Sequence, residues 1–233
     1  MGSEKNTKEV ENMCVPNVKS TVESIHFEWD STKTSVENVH EFVKIYLHIT
    51  DPHNKLSTRI YEHTMRTMKL AERILSKEVA DREVVMIALL LHDIGKTLCD
   101  NSHNLVSFRI AELLLEKQNF NETNKKKILD CILYHSAKDI TTLDLTAEQK
   151  VIMDADILDE IGILTISRIC LRNNDRNSSI REVIKILDQK YMKIEKETTY
   201  LKTTVGAKLY NQKKKKLKEN IDQLKLECVE FTV

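Results

Sequence analysis

The chain has 233 residues, 41% of them hydrophobic, which is enough to bury one sizeable core. Its 36 lysines and arginines balance 36 aspartates and glutamates, so no global field favours nucleic acid or a membrane surface, and an anionic ligand has to be recognised locally. Four glycines and two prolines are a helix-former's composition; glycines this scarce exclude a Walker loop and a dinucleotide-binding fingerprint, which cluster them so that backbone can approach phosphate.

Five cysteines spread from Cys14 to Cys228 without paired spacing give no disulfide framework and fit a reducing cytoplasm. The segment Met1 to Lys19 is polar, and no later stretch is apolar for long enough to cross a bilayer. A soluble, cytoplasmic protein with no membrane partner is therefore expected, and nothing indicates a specific nucleic acid.

Residues 1–33 mix charge, Ser, Thr and Asn and read as a flexible N-terminal tail, with room for a short helix near Thr21 to Trp29. Residues 34–229 read as one all-α helical bundle. Val36, Val39, Val43, Tyr46 and Leu47 form the stripe of an amphipathic helix that Asp51-Pro52 ends. Leu56, Ile60, His63, Thr67, Leu70, Ala71 and Ile74 share one face of the next helix, which puts His63 on its buried side. Val84 to Leu91 is apolar almost throughout and has to be covered on all sides. Further helices are expected over Asn104–Lys117, Thr123–Tyr134 and Thr146–Arg168, the last opened by a capping box at Thr146. After a polar break from Asn173 to Ser179, Ile180–Ile194 and Leu201–Leu226 give two long C-terminal helices. No segment alternates with period two, so no sheet is predicted. The run Lys213 to Lys216 reads as a solvated helix face rather than a phosphate patch.

The sharpest feature is Leu89-Leu90-Leu91-His92-Asp93-Ile94-Gly95-Lys96, where a ring and a carboxylate end an apolar helix. A carboxylate among leucines costs several kcal/mol unless it is paired, hydrogen-bonded or bound to a metal. Neighbours on a helix point about 100° apart, so His92 and Asp93 can share one ion only where the chain leaves its last turn, an ending that Gly95 supplies. A structural ion pair would explain the dyad alone. It explains less well why His63 and Asp156 stand on the buried faces of two other helices.

With these residues the chain resembles the HD-domain superfamily of metal-dependent phosphohydrolases, whose pattern of a lone His, a His-Asp dyad and a distant Asp is matched by His63, His92-Asp93 and Asp156. It is most similar to the small stand-alone HD hydrolases that include nucleoside triphosphate pyrophosphohydrolases. The shared motifs are His63-Thr64-Met65-Arg66, His92 to Lys96, a helix led by His103, a helix ending in Tyr134-His135-Ser136, and Asp154 to Gly162 closing on Arg168. The match runs over about residues 36 to 229. Ser107-Phe108 and Gly162-Ile163-Leu164-Thr165 depart from the smaller residues of those relatives. Lys96-Thr97 replaces the Glu-Asp of guanosine-tetraphosphate hydrolases, and no Gly-Tyr-Pro signature of cyclic-dinucleotide phosphodiesterases occurs.

The resemblance implies a divalent metal held by His63, His92, Asp93 and Asp156. Two imidazoles and two carboxylates suit Mn²⁺ or Mg²⁺ first, with Fe²⁺, Co²⁺ and Zn²⁺ also compatible. Asp93 and Lys96 are expected to act in catalysis, and Lys96 and Arg66 to bind substrate, with surface salt bridges the alternative for both cations. His103 and His135 are candidates for proton donation to the leaving oxygen or phosphate contact, in preference to a second metal site, and His103 alternatively caps its helix. Asp159 is placed to hydrogen-bond a ligand, whereas Asp154 points away.

Three functions fit this set. The first is hydrolysis of a small phosphorylated molecule, a nucleotide above all, as a pyrophosphohydrolase, nucleotidase or phosphodiesterase. An HD-type diiron oxygenase and a catalytically silent nucleotide-binding regulatory module are the alternatives. A homodimer is compatible with all three.

Overall fold

The computed structural model describes residues 16–53, 55–118, 120–137, 144–174, 179–196 and 200–229, and among these it is all α, with ten helices and no strand. The helices are α1 (Pro16–Ser24), α2 (Ser35–Thr50), α3 (Lys55–Leu75), α4 (Arg82–Leu91), α5 (His103–Lys117), α6 (Glu122–Tyr134), α7 (Ala147–Asp159), α8 (Ile163–Asn174), α9 (Ile180–Lys196) and α10 (Thr204–Val229), with a 3-10 turn at Ile94–Thr97 between α4 and α5.

Helix α4 is the axis of the bundle. Every residue from Val84 to Leu91 is buried, and α2, α3, α5, α6 and α7 pack around it. A short all-apolar helix has no solvent face, so it is stable only when enclosed. The ends are fixed chemically: Asp81 caps α4 through the amide of Val84, and both α2 and α7 begin with reciprocal capping boxes, Thr34 with Glu37 and Thr146 with Gln149. Helices α3 and α7 make the most extensive packing of any pair, and they carry His63 and Asp156 toward the C-terminal end of α4. Helices α9 and α10 pair with each other, and α10 also lies on α7, α8 and α3.

Two sequence expectations need correction. The first concerns the tail: of residues 1–33, those from Pro16 onward are packed on the bundle, while residues 1–15 lie outside the described part. Val18, Val22 and Ile25 are buried in the core, Phe27 meets Phe42 edge-on with ring centroids 5.6 Å apart, and Asn38 of α2 binds the backbone of Asp30, Lys33 and Thr34. Each fully buried valine or isoleucine contributes about 1.5–3 kcal/mol, enough to hold this short helix against α5. The helix also starts earlier than Thr21.

The second correction is that the helix expected from Thr146 to Arg168 is broken after Asp159. Gly162 has φ 111°, a left-handed conformation that glycine adopts without strain, and α8 leaves in a new direction. The last carbonyls of α7 are taken by side chains from α8: Thr165 Oγ1 donates to Glu160 at 3.0 Å and Arg168 Nη1 to Asp159 at 2.9 Å.

Candidate metal and catalytic centre

The dyad sits where α4 stops. His92 is the C-cap of α4, and Asp93 leads into the 3-10 turn, so the two side chains diverge less than helical neighbours would. Gly95 has a further reason to be glycine: a β-carbon there would lie 2.5 Å from the carbonyl oxygen of His103 and 2.7 Å from the amide of Ser107. This approach seats the turn against α5, with Gly95 N donating to Ser107 Oγ at 2.9 Å, and thereby brings His103 to Asp93.

Four imidazoles converge on that carboxylate. His63 Nε2 is 3.4 Å and His92 Nε2 3.6 Å from Asp93 Oδ2, while His103 Nε2 and His135 Nε2 are 3.4 and 3.5 Å from Asp93 Oδ1. Asp156 Oδ1 is 3.2 Å from His63 Nε2. The Nδ1 atoms of His92, His103 and His135 each face a carbonyl oxygen three residues back, on Leu89, Asp100 and Ile132, at 2.7, 2.9 and 2.7 Å. A carbonyl only accepts, so in the neutral rings the proton is on Nδ1 and Nε2 presents a lone pair. His63 is oriented in the same way, its Nδ1 donating to Asp159 Oδ2 at 2.8 Å.

Lone pairs therefore face lone pairs. The Nε2 atoms of His63 and His92 are 3.2 Å apart, as are those of His103 and His135, and Asp93 Oδ1 is buried without a hydrogen-bond partner. Such an arrangement is costly unless positive charge enters it. The titration behaviour has the same origin. Burial holds His92 down at about 4. Burial also acts to lower His63, but hydrogen bonds to Asp156 and Asp159 and the charge of Asp93 override it and raise this ring to about 9. Burial raises the carboxyls, yet the surrounding rings and Lys96 keep Asp93 well below the usual range, and the His63 contact takes Asp156 to about 2.

Donor sets that could hold a cation are His63, His92 and Asp156 on one side and His92, Asp93 and His135 on the other, each with ligand atoms within 4.8 Å of one another. All four predicted ligands, His63, His92, Asp93 and Asp156, thus lie in one cluster, together with His103 and His135. Lys96 also reaches it, its Nζ 2.5 Å from Asp93 Oδ2. Arg66 is close by but engaged: its guanidinium forks onto Asp159 at 2.8 and 3.1 Å, and Arg168 adds a contact of 2.6 Å to the same carboxylate.

Three residues went beyond the sequence reading. Arg168 was only the end of a motif, and its pairing with Asp159 depends on the α7–α8 break. Asp154 points away as expected, but it also accepts from Lys202 N, Thr203 N and Thr203 Oγ1, tying α7 to the start of α10. Lys213 is not part of a solvated face: it is half-buried, with Nζ 3.4 Å from where a β-carbon on Gly162 would stand. Burial lowers its pKa, Asp159 opposes that, and Arg73, Arg168 and Arg66 are near enough to lower it further.

The model of the HD domain family matches residues 60–161. Among solved structures, an HD-superfamily hydrolase from Bacillus thuringiensis is 21% identical with a TM-score of 0.63, covering 82% of this chain and 95% of its own. A predicted HD superfamily hydrolase from an uncultured Thermotogales bacterium is 22% identical with a TM-score of 0.58, covering 82% and 91%. Bacillus subtilis YpgQ in complex with ADP is 21% identical with a TM-score of 0.59, covering 83% and 97%. No curated protein matches. Residues 60–161, which hold every one of the converging rings and acids, are an HD domain, and the chain has the fold of the HD-superfamily hydrolases.

Proposed function

We propose that this protein is a metal-dependent phosphohydrolase whose substrate is a small phosphorylated molecule, a nucleotide above all. The observation that carries the reading is Asp93: a buried carboxylate with one oxygen unpartnered, enclosed by four rings whose Nε2 lone pairs all face inward. His63, His92, Asp93 and Asp156 would hold a divalent cation of the Mn²⁺ or Mg²⁺ kind. Such an ion lowers the pKa of water toward about 7 and neutralises charge on a phosphoryl oxygen.

The remaining work falls to the protein's own side chains. Asp159 holds His63 in one ring orientation, and Arg66 and Arg168 hold Asp159. Lys96 is partly exposed and spends one proton on Asp93, so its other two N–H groups remain for a phosphate oxygen. His103, at the more open side of the cluster, is placed to give a proton to a leaving oxygen. Nucleotide recognition is supported by the ADP bound to YpgQ, a protein of the same fold.

One observation favours a second reading of His103 and His135, as ligands of a second cation sharing Asp93: both Nε2 atoms face the unpartnered oxygen, and both Nδ1 protons are already committed to carbonyls. The test is a metal-by-substrate screen of the full chain against nucleotides and other phosphate esters. Release of phosphate or pyrophosphate with Mn²⁺ or Mg²⁺ is expected. A panel silent with every metal would reject the hydrolase, and two irons with a diiron optical band would replace it by the oxygenase.

A further inference from the structure

Beside the centre, α3 and α10 enclose a cleft of about 520 Å³. Three cations line it, Arg73 and Lys77 from α3 and Lys208 from α10, with Ser76 and Gln212 as polar neighbours. Its one acid is Glu72, which Arg82 already holds at 2.9 Å. Arg73, Lys77 and Lys208 have no carboxylate partner among the described residues. In a chain of zero net charge, three such cations around one cavity are a local surplus.

The cleft is continuous with the candidate centre. Arg66 and Arg73 are two turns apart on α3, about 10 Å along the axis, so they occupy neighbouring positions on one face. Lys213, one turn beyond Leu209 on α10, bridges the gap: it is within electrostatic reach of Asp159 on one side and of Arg73 on the other. A line of cations thus leads from the Asp93 cluster into the cleft.

We propose that the cleft is a subsite for the distal phosphates of the substrate, so that the class of molecule acted on is an oligophosphate rather than a simple monoester. The scissile phosphate lies at the Asp93 cluster, Lys213 contacts the phosphate next along the chain, and Arg73 and Lys208 hold the end. This rests on the phosphohydrolase reading but is tested separately from it, because its first readout is binding without turnover.

Inorganic tripolyphosphate and orthophosphate are titrated calorimetrically into the full chain in EDTA, for wild type, Arg73→Gln/Lys208→Gln, Lys213→Gln and Lys215→Gln. Lys215 belongs to the same lysine run but is exposed and pairs with Glu219, so it controls for loss of charge alone. Tripolyphosphate is expected to bind wild type at least tenfold more tightly than orthophosphate. The double variant and Lys213→Gln should each lose about tenfold for tripolyphosphate only, and Lys215→Gln should lose nothing. Equal affinity in wild type and the double variant would overturn the subsite, and so would an equal loss in Lys215→Gln. If a triphosphate is turned over, the double variant should raise KM with kcat unchanged; a silent substrate panel beside intact tripolyphosphate discrimination would sink the hydrolase and leave the anion site.

Discussion

Two buried carboxylates, Asp93 at the end of α4 and Asp159 at the end of α7, show how the same chemical group can be left in opposite states within one cluster. Asp159 is saturated: His63 Nδ1, the Arg66 fork and Arg168 use both its oxygens. Asp93 has a lysine on Oδ2 and no hydrogen bond on Oδ1, although two rings stand within 3.5 Å of that oxygen. The protein supplies cations to the first from its own side chains and only incompletely to the second. Asp159 is therefore an organising group, and Asp93 awaits charge from outside.

The contrast breaks most sharply at Asp93. Asp93→Ala should lower phosphohydrolase turnover on the order of a thousandfold or more, because several kcal/mol of transition-state stabilisation disappear with the cation. The thermal midpoint of the metal-free protein should stay the same or rise, since an under-satisfied buried charge has been removed. A large fall in that midpoint would mean that Asp93 is structural, as Asp159 is. Asp159→Ala should do the reverse. Its loss strands Arg66 and Arg168, at a cost of roughly 2–3 kcal/mol because both arginines keep some solvent contact, and it frees His63 to rotate, weakening metal binding about tenfold to a hundredfold. Thermal denaturation and metal titration of that variant read the two effects separately.

Backbone substitutions sharpen the same comparison. Gly95→Ala puts a methyl against the backbone of α5, so it should cost about 1–3 kcal/mol and displace the turn that carries Asp93, lowering activity as well as stability. Gly162→Ala strains the break after Asp159 by about 1–2 kcal/mol and should lower stability with a smaller effect on activity. The ratio of activity loss to stability loss in the two variants is the quantity to measure. The smallest expected effect is on pH. Asp30, Asp51, Glu37 and Glu182 are exposed carboxylates whose pKa values are lowered by hydrogen bonds, those of Thr32, Ser57, Thr34 and Ser179 first. A lowered folded-state pKa contributes stability above the ordinary carboxylate range that is lost as these groups protonate, so the thermal midpoint should decline modestly as pH falls through about 4 and below.

The centre was legible in the sequence to the extent that it violates hydrophobic patterning. His92-Asp93 interrupts an apolar helix, and His63 and Asp156 stand on faces that burial otherwise claims. The helices were legible for the complementary reason, since their stripes and capping boxes obey the pattern. What escaped depends on three-dimensional direction. The apolar period runs through Asp159 into Ile163 and Leu164, yet Gly162 turns the chain and leaves those two side chains exposed. Arg168 becomes a partner of Asp159 only because of that turn. Lys213 looked like part of a solvated run because its neighbours are lysines, and only the packing of α10 on α7 and α8 sets it over Gly162. The spacing of Val18, Val22 and Ile25, four and three residues apart, was a readable signal that the segment before α2 is packed, but the polar residues between them masked it.

The central claim is that Asp93 and its rings lack a cation that the folded chain is built to receive. Titration of Mn²⁺ into chelator-treated protein, followed by electron paramagnetic resonance for wild type and Asp93→Asn, addresses it directly. Saturable binding to wild type, weakened at least a hundredfold in Asp93→Asn, is the predicted result; no binding by wild type, or equal binding by the variant, would contradict it.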